Sequence, residues 1–214
     1  MKNVLDFELQ QFLRDILPEK TKLMQEIEEY AAQKHVSIVD QEVANFLKII
    51  VAVSGSQKIL EIGTGLGYST IHLAAGLSET GKIITIEKSQ ERVQKAAYFI
   101  NQSGFAEKIT QIHGDARDAV IKLETTFDCI FLDAAKGQYA RFLETFDTLL
   151  ESGGIIIADN VLINGWVVDM NIPERRKRTM VVNMRQFLEQ FKENRMYDMS
   201  LLPLGDGVAL IRKR

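Results

Sequence analysis

Cysteine is almost missing from this chain of 214 residues; Cys129 is the only one. That excludes an internal disulfide and any zinc site built from clustered thiolates. Lying in the apolar run FDCIFLD, Cys129 reads as a small core residue, and a reducing cytoplasm is its simplest setting. Long apolar runs are missing too: no stretch approaches the roughly 18 residues that a membrane-spanning helix needs, so no membrane partner is expected. The opening MKNVLDFELQQFLRDILP is amphipathic and interrupted by charges, unlike the unbroken apolar stretch of a signal peptide. Linkers and internal repeats are absent, so residues 1–214 read as one domain.

What is present fits a soluble globular chain, with 46% hydrophobic and 26% charged residues. The net charge of −3 argues weakly against a nucleic-acid partner, but the charges are unevenly spread. Residues 1–159 hold 16 Lys/Arg against 23 Asp/Glu, whereas residues 160–214 hold 10 against 6. The basic excess is at the far end.

Residues 1–55 form a helical extension: a first helix ended by Pro18, a second over about 20–34 and a third over about 40–53. From residue 56 onward, short β-branched runs alternate with amphipathic stretches. KILEI, KIITIE, KITQIH, FDCIFLD and GGIIIAD read as strands, with helices near 68–77, 89–103, 116–123 and 136–151. Such alternation means an α/β fold with a parallel sheet covered on both faces. After Asp159 come a loop, a long helix near 174–194 and two strands near 197–203 and 207–212. Gly205-Asp206-Gly207 is a strong turn signal, making the last two an antiparallel hairpin.

The turn Glu61-Ile-Gly63-Thr-Gly65-Leu-Gly67-Tyr-Ser69 joins the first strand to a helix, where glycines allow a ligand close to the backbone. Glu87 ends the second strand, placed to accept hydrogen bonds from ribose hydroxyls. A dinucleotide and S-adenosylmethionine both suit this geometry. Glu61 favours the latter, since a carboxylate beside the turn repels a pyrophosphate and attracts a sulfonium. Asp115, after strand three, either meets an adenine amino group or caps the next helix.

Asp133 ends strand four, and Asp159-Asn160 ends strand five. Two carboxylates and an amide at one rim are hard oxygen donors suited to magnesium or a similar ion. Neither His nor Cys accompanies them, which argues against zinc. Lys136 follows Asp133 by one helical turn and, with its pKa lowered beside a cation, can accept a proton from a hydroxyl.

These stretches (LEIGTGLGYST, ITIEK, GDA, FLDAAKGQY and IIIADNVL) resemble the metal-dependent class I O-methyltransferases, the group containing catechol and caffeoyl-CoA methyltransferases. The resemblance implies a Rossmann-like sheet of seven strands with an antiparallel last strand. It further implies that Asp133, Asp159 and Asn160 ligate Mg2+ or Mn2+ and that Lys136 assists deprotonation. Val39, Ser69, Glu87, Asp115 and Asp133, with the Glu61–Gly63 turn, would contact S-adenosylmethionine. Homodimers are common in the group, and the N-terminal helices or the 162–180 loop could supply the patch.

Such a site takes acceptors with two adjacent oxygens, which describes catechols and equally 5-hydroxyuridine. Arg175, Arg176, Lys177 and Arg178 form a basic run suited to phosphates, close to the loop that leaves Asp159. AAKGQY, DNVL-x-x-G, this cluster and LPLGDGVAL are similar to bacterial tRNA 5-hydroxyuridine methyltransferases, implying a tRNA anticodon stem-loop as partner. Trp166 is either a stacking surface for a flipped-out base or loop packing. A catechol-like or hydroxycinnamoyl small molecule is the alternative acceptor. A nicotinamide-dependent dehydrogenase and a non-catalytic RNA-binding protein are weaker readings.

Overall fold

The computed structural model describes residues 7–134, 145–169, 172 and 177–214. Three helices open the chain: α1 (Phe7–Ile16), α2 (Lys22–Lys34) and α3 (Gln41–Ser54). Then β1 (Lys58–Ile62), α4 (Tyr68–Gly76), β2 (Lys82–Glu87), α5 (Gln90–Gln102), β3 (Ile109–His113), α6 (Ala116–Val120) and β4 (Phe127–Leu132) alternate. Residues 145–149 are helical and run directly into β5 (Leu150–Ala158). A one-turn helix α7 (Trp166–Asp169) and a long α8 (Arg178–Glu193) precede β6 (Tyr197–Leu202) and β7 (Val208–Lys213).

The strands form one seven-stranded sheet in the order β3-β2-β1-β4-β5-β7-β6. Strands β1 to β5 pair in parallel, and β7 pairs antiparallel with both β5 and β6. This is the Rossmann-like sheet that the strand pattern and the resemblance predict, with β7 its one reversed strand.

Alternation within each strand explains why both faces are covered. Ile59, Cys129, Phe131, Ile155 and Ile157 enter a core shared with α2 to α5, while Leu60, Ile62, Ile130, Leu132 and Ile156 enter another with α8. Cys129 is fully buried, and that burial pushes its thiol pKa well up. Caps close the helices: Thr21 Oγ1 accepts the Met24 N–H and Ser89 Oγ accepts the Arg92 N–H. On α1, Arg14 reaches Asp40 at 2.9 Å and Glu42 at 3.1 Å, tying that helix to α3. No described helix is long and apolar enough to cross a membrane.

Three boundaries differ from the sequence reading. The helix expected over 116–123 stops at Val120, because its last predicted residues turn towards β4. Strand β5 begins at Leu150 rather than near Gly153, since Leu150 pairs with Phe127 ahead of a register shift. The loop expected after Asp159 contains α7.

Candidate functional site

The C-terminal ends of β1, β2, β4 and β5 meet at one rim, where an open parallel sheet carries its ligand. Parallel pairing sets Leu132 beside Ala158, so Asp133 and Asp159, the next residues, leave neighbouring strands at the same level. Backbone bonds continue the ladder past both strands: the Asp133 N–H donates to Ile62 O at 3.0 Å and the Asp159 N–H to Leu132 O at 2.9 Å. Asp159 is 1% exposed and its Oδ1 accepts the Asn160 N–H at 2.7 Å. Asn160 takes a left-handed φ of 55°, as do Ile163 at 47° and Asn164 at 55°. A β-branched residue there is a genuine backbone outlier, so this loop is held in place by its surroundings.

Those surroundings include the β6–β7 turn. Asp206 Oδ1 accepts the Asn164 N–H at 2.6 Å, and Leu162 and Val161 donate to the carbonyls of Asp206 and Gly207.

On the other side of the rim the glycine turn approaches Asp133 closely. Gly63 has φ 107°, and a Cβ there would stand 2.7 Å from the Ala134 Cβ. Glu87 is buried with both oxygens held, Oε2 by the Gly65 N–H at 3.0 Å and Oε1 by the Ser89 N–H at 2.9 Å. Gly63, Glu87, Asp115 and Ala134 share the wall of a cavity of about 230 Å3. Three residues predicted to touch the cofactor therefore line one cavity.

Asp115 is the N-cap of α6, accepting the Arg117 N–H at 3.1 Å. It also pairs with the Arg117 guanidinium and the Lys88 ammonium, which hold its carboxyl well below the usual range. The capping reading is thus observed, and Asp115 also lines the cavity.

Glu61, Ser69 and Val39 are placed differently. Glu61 is fully buried beneath the turn and does not line that cavity. Ser69 donates to its Oε1 at 2.6 Å, and Thr70 and Thr85 donate to its Oε2 at 2.5 and 2.6 Å. Thr85 also shares a 2.6 Å hydrogen bond with Thr64 inside the turn. Burial raises the Glu61 carboxyl to about 7 despite these donors, and the nearby Asp133 charge adds to the rise. Its visible task is to anchor α4 and β2 under the glycine turn. Val39, 5% exposed, belongs to the core beside α3.

Thr70 and Thr85 carry this anchor and were not singled out from the sequence. Thr85 offers the one available signal, a polar residue inside the apolar run KIITIE.

Lys136, Arg175 and Arg176 lie outside the described residues. Lys177 and Arg178 are described, and the Lys177 ammonium sits 5.0 Å above the Trp166 ring. Trp166 in turn packs on the core beneath α8. Among the described residues, no three His, Cys, Asp or Glu side chains group to hold a metal ion. Two carboxylates and one amide are what Asp133, Asp159 and Asn160 offer. That donor set fits a hard cation whose shell is completed by water and acceptor oxygens.

Residues 15–214 match the O-methyltransferase family model. A caffeoyl-CoA O-methyltransferase of Populus kitakamiensis is 29% identical over 210 residues, covering 92% of this chain and 88% of the relative. A flavonoid 3',5'-methyltransferase of Vitis vinifera is 32% identical over 179 residues, covering 78% and 75%. Among solved structures, the Bacillus cereus O-methyltransferase in complex with SAH superposes with a TM-score of 0.86 at 28% identity, covering 97% of each chain. The chain belongs to the O-methyltransferase family.

Proposed function

We propose that this O-methyltransferase moves the methyl group of S-adenosylmethionine to the 5-hydroxyl of 5-hydroxyuridine at the tRNA wobble position, giving 5-methoxyuridine. The observation carrying the nucleic-acid reading is Lys177 stacked on Trp166. Trp166 opens α7 six positions after Asn160, so that contact joins the start of α8 to the segment that leaves β5. The relatives named above carry small-molecule acceptors in their names, and a catechol-like acceptor uses the same two-oxygen chemistry.

In this reading Gly63, Glu87 and Asp115 would hold the cofactor's adenosine, with Glu87 accepting from ribose hydroxyls. The acceptor oxygen attacks the methyl carbon in line, the carbon–sulfur bond breaks, and S-adenosylhomocysteine leaves. Asp133, Asp159 and Asn160 would hold a magnesium or manganese ion, which supplies Lewis acidity that lowers the pKa of the acceptor hydroxyl. Lys136 is the assigned proton acceptor. The buried Glu61 network keeps the glycine turn fixed while this happens.

The test is mass analysis of tRNA nucleosides after incubation with purified protein, S-adenosylmethionine and magnesium, using tRNA from cells without this modification. A gain of one methyl on 5-hydroxyuridine, abolished by chelator, is expected. No gain, with a catechol methylated instead, overturns the tRNA acceptor.

A homodimer belongs to the same proposal. Leu9, Phe12, Leu13 and Ile16 form one exposed apolar stripe on α1, which a second copy would cover. Light scattering that returns a monomer mass overturns it.

A further inference from the structure

A second concavity, of about 260 Å3, lies between the end of α2 and the start of α5. Among the described residues it is lined by Lys34, His35, Arg92 and Lys95, with Glu91 as the one acid and the Ser89 hydroxyl beside them. Neither Lys34 nor Arg92 pairs with a carboxylate among the described residues, and both are exposed. Lys95 is held by aromatic faces: its ammonium lies 4.4 Å from the Tyr30 ring, 4.2 Å from Tyr98 and 4.4 Å from Phe99. Rings attract a cation without neutralising it, so the positive charge stays available while its position is fixed. The opening turn of α5 adds the favourable end of a helix dipole. Three full positive charges against one negative, in a hollow a few atoms wide, select an anion.

This hollow shares its walls with the cofactor cradle. Leu66, between Gly65 and Gly67, lines it. Glu87 clamps the Gly65 N–H and the N–H of Ser89, another lining residue. Lys177 and Trp166 lie elsewhere: they follow β5, three strands from β2, and Trp166 packs with the core on the other face. Three strand spacings are roughly 14 Å. An acceptor touching both cationic places must cross the rim, so it carries more than one phosphate along an extended chain.

We propose that the Lys34–Arg92–Lys95 hollow is a phosphate subsite for the methyl acceptor, occupied by a backbone phosphodiester of the RNA whose base enters the rim. The assignment of RNA rests on the proposed function; the phosphate chemistry does not. The same hollow would equally take the diphosphate of a coenzyme A thioester, so both sources are tested.

The variant is Lys34→Glu/Arg92→Glu, compared with Lys58→Glu/Lys122→Glu, which changes net charge equally away from the rim. Binding of an anticodon stem-loop RNA and of coenzyme A is measured by fluorescence anisotropy and calorimetry over a salt series, with S-adenosylmethionine affinity as the control for folding. The expected result is RNA affinity weakened at least about 10-fold and a log K against log salt slope shallower by about 1 to 2 in the first variant only. Weakened coenzyme A binding, in a protein whose wild type ignores RNA, supports the phosphate subsite and overturns the tRNA reading. RNA binding equal in both variants overturns the subsite, and the tRNA reading survives if the wild type still methylates tRNA.

Discussion

The carboxylate of Asp206 accepts the backbone N–H of Asn164 at 2.6 Å, across 42 positions of chain. Asn164 belongs to a loop with three left-handed non-glycine residues, beginning at Asn160. The β6–β7 turn thus holds the loop that aims the amide of the acid rim. Asp206→Ala should lower kcat roughly 10- to 100-fold by misplacing that rim, leaving S-adenosylmethionine affinity within about twofold. Single-turnover methylation and calorimetry read the two quantities; cofactor affinity falling in step with kcat would assign Asp206 a wider role.

Asp159→Ala should abolish turnover while cofactor binding persists, because Asp159 stands with Asp133 and Asn160 and outside the Gly63–Glu87–Asp115 cavity. Lost affinity for S-adenosylmethionine in this variant would contradict the division of roles. Direct binding of magnesium, read by calorimetry, should also be weakened in this variant.

Gly63→Ala brings a Cβ to 2.7 Å from the Ala134 Cβ at a φ of 107°. A loss of about 1–3 kcal/mol of stability is expected, read by urea denaturation. Adding Ala134→Gly should restore the part due to the clash but not the part due to the backbone. Full additivity of the two changes would show that the two residues do not meet.

Glu61 titrates near 7 in the folded protein against an ordinary 4.5. Its raised pKa means that folding favours the protonated acid. The carboxyl therefore costs no stability below about pH 4.5, costs progressively more as pH rises to 7, and levels off above. Relative to Glu61→Gln, the wild type should lose up to roughly 3 kcal/mol between pH 5 and 8. Parallel urea melts of both proteins at pH 5, 6, 7 and 8 test this; a constant difference would mean that the three hydroxyl donors keep Glu61 ionised throughout.

Much of the sheet was legible because the information is local. Ile59 and Leu60, or Ile156 and Ile157, alternate between two cores, and such strands read as continuous apolar runs. The pairing of Asp133 with Asp159 at one rim also follows from neighbouring strands of matched phase. What escaped depends on partners distant in sequence. Whether Glu61 faces the cavity or the interior is decided by Thr85 on β2 and Thr70 on α4, which satisfy it from below. The burial of Val39 likewise depends on α2 and α3 closing over it. Trp166 and Lys177 are eleven positions apart, on separate helical segments, and no periodicity links them. The hollow beside α5 is likewise invisible in a chain whose basic excess lies elsewhere.

Strand β7 sits between β5 and β6 although it follows both in the chain. While the polypeptide is being made, β5 therefore presents an open hydrogen-bonding edge until residues 208–213 appear to cover it. That edge belongs to the strand that ends in Asp159, so the acid rim is among the last parts to gain its final support. A pause in synthesis between β6 and β7 would expose this edge for longer. Aggregation sensitive to codon choice in that stretch is the cellular signature such a strand order carries.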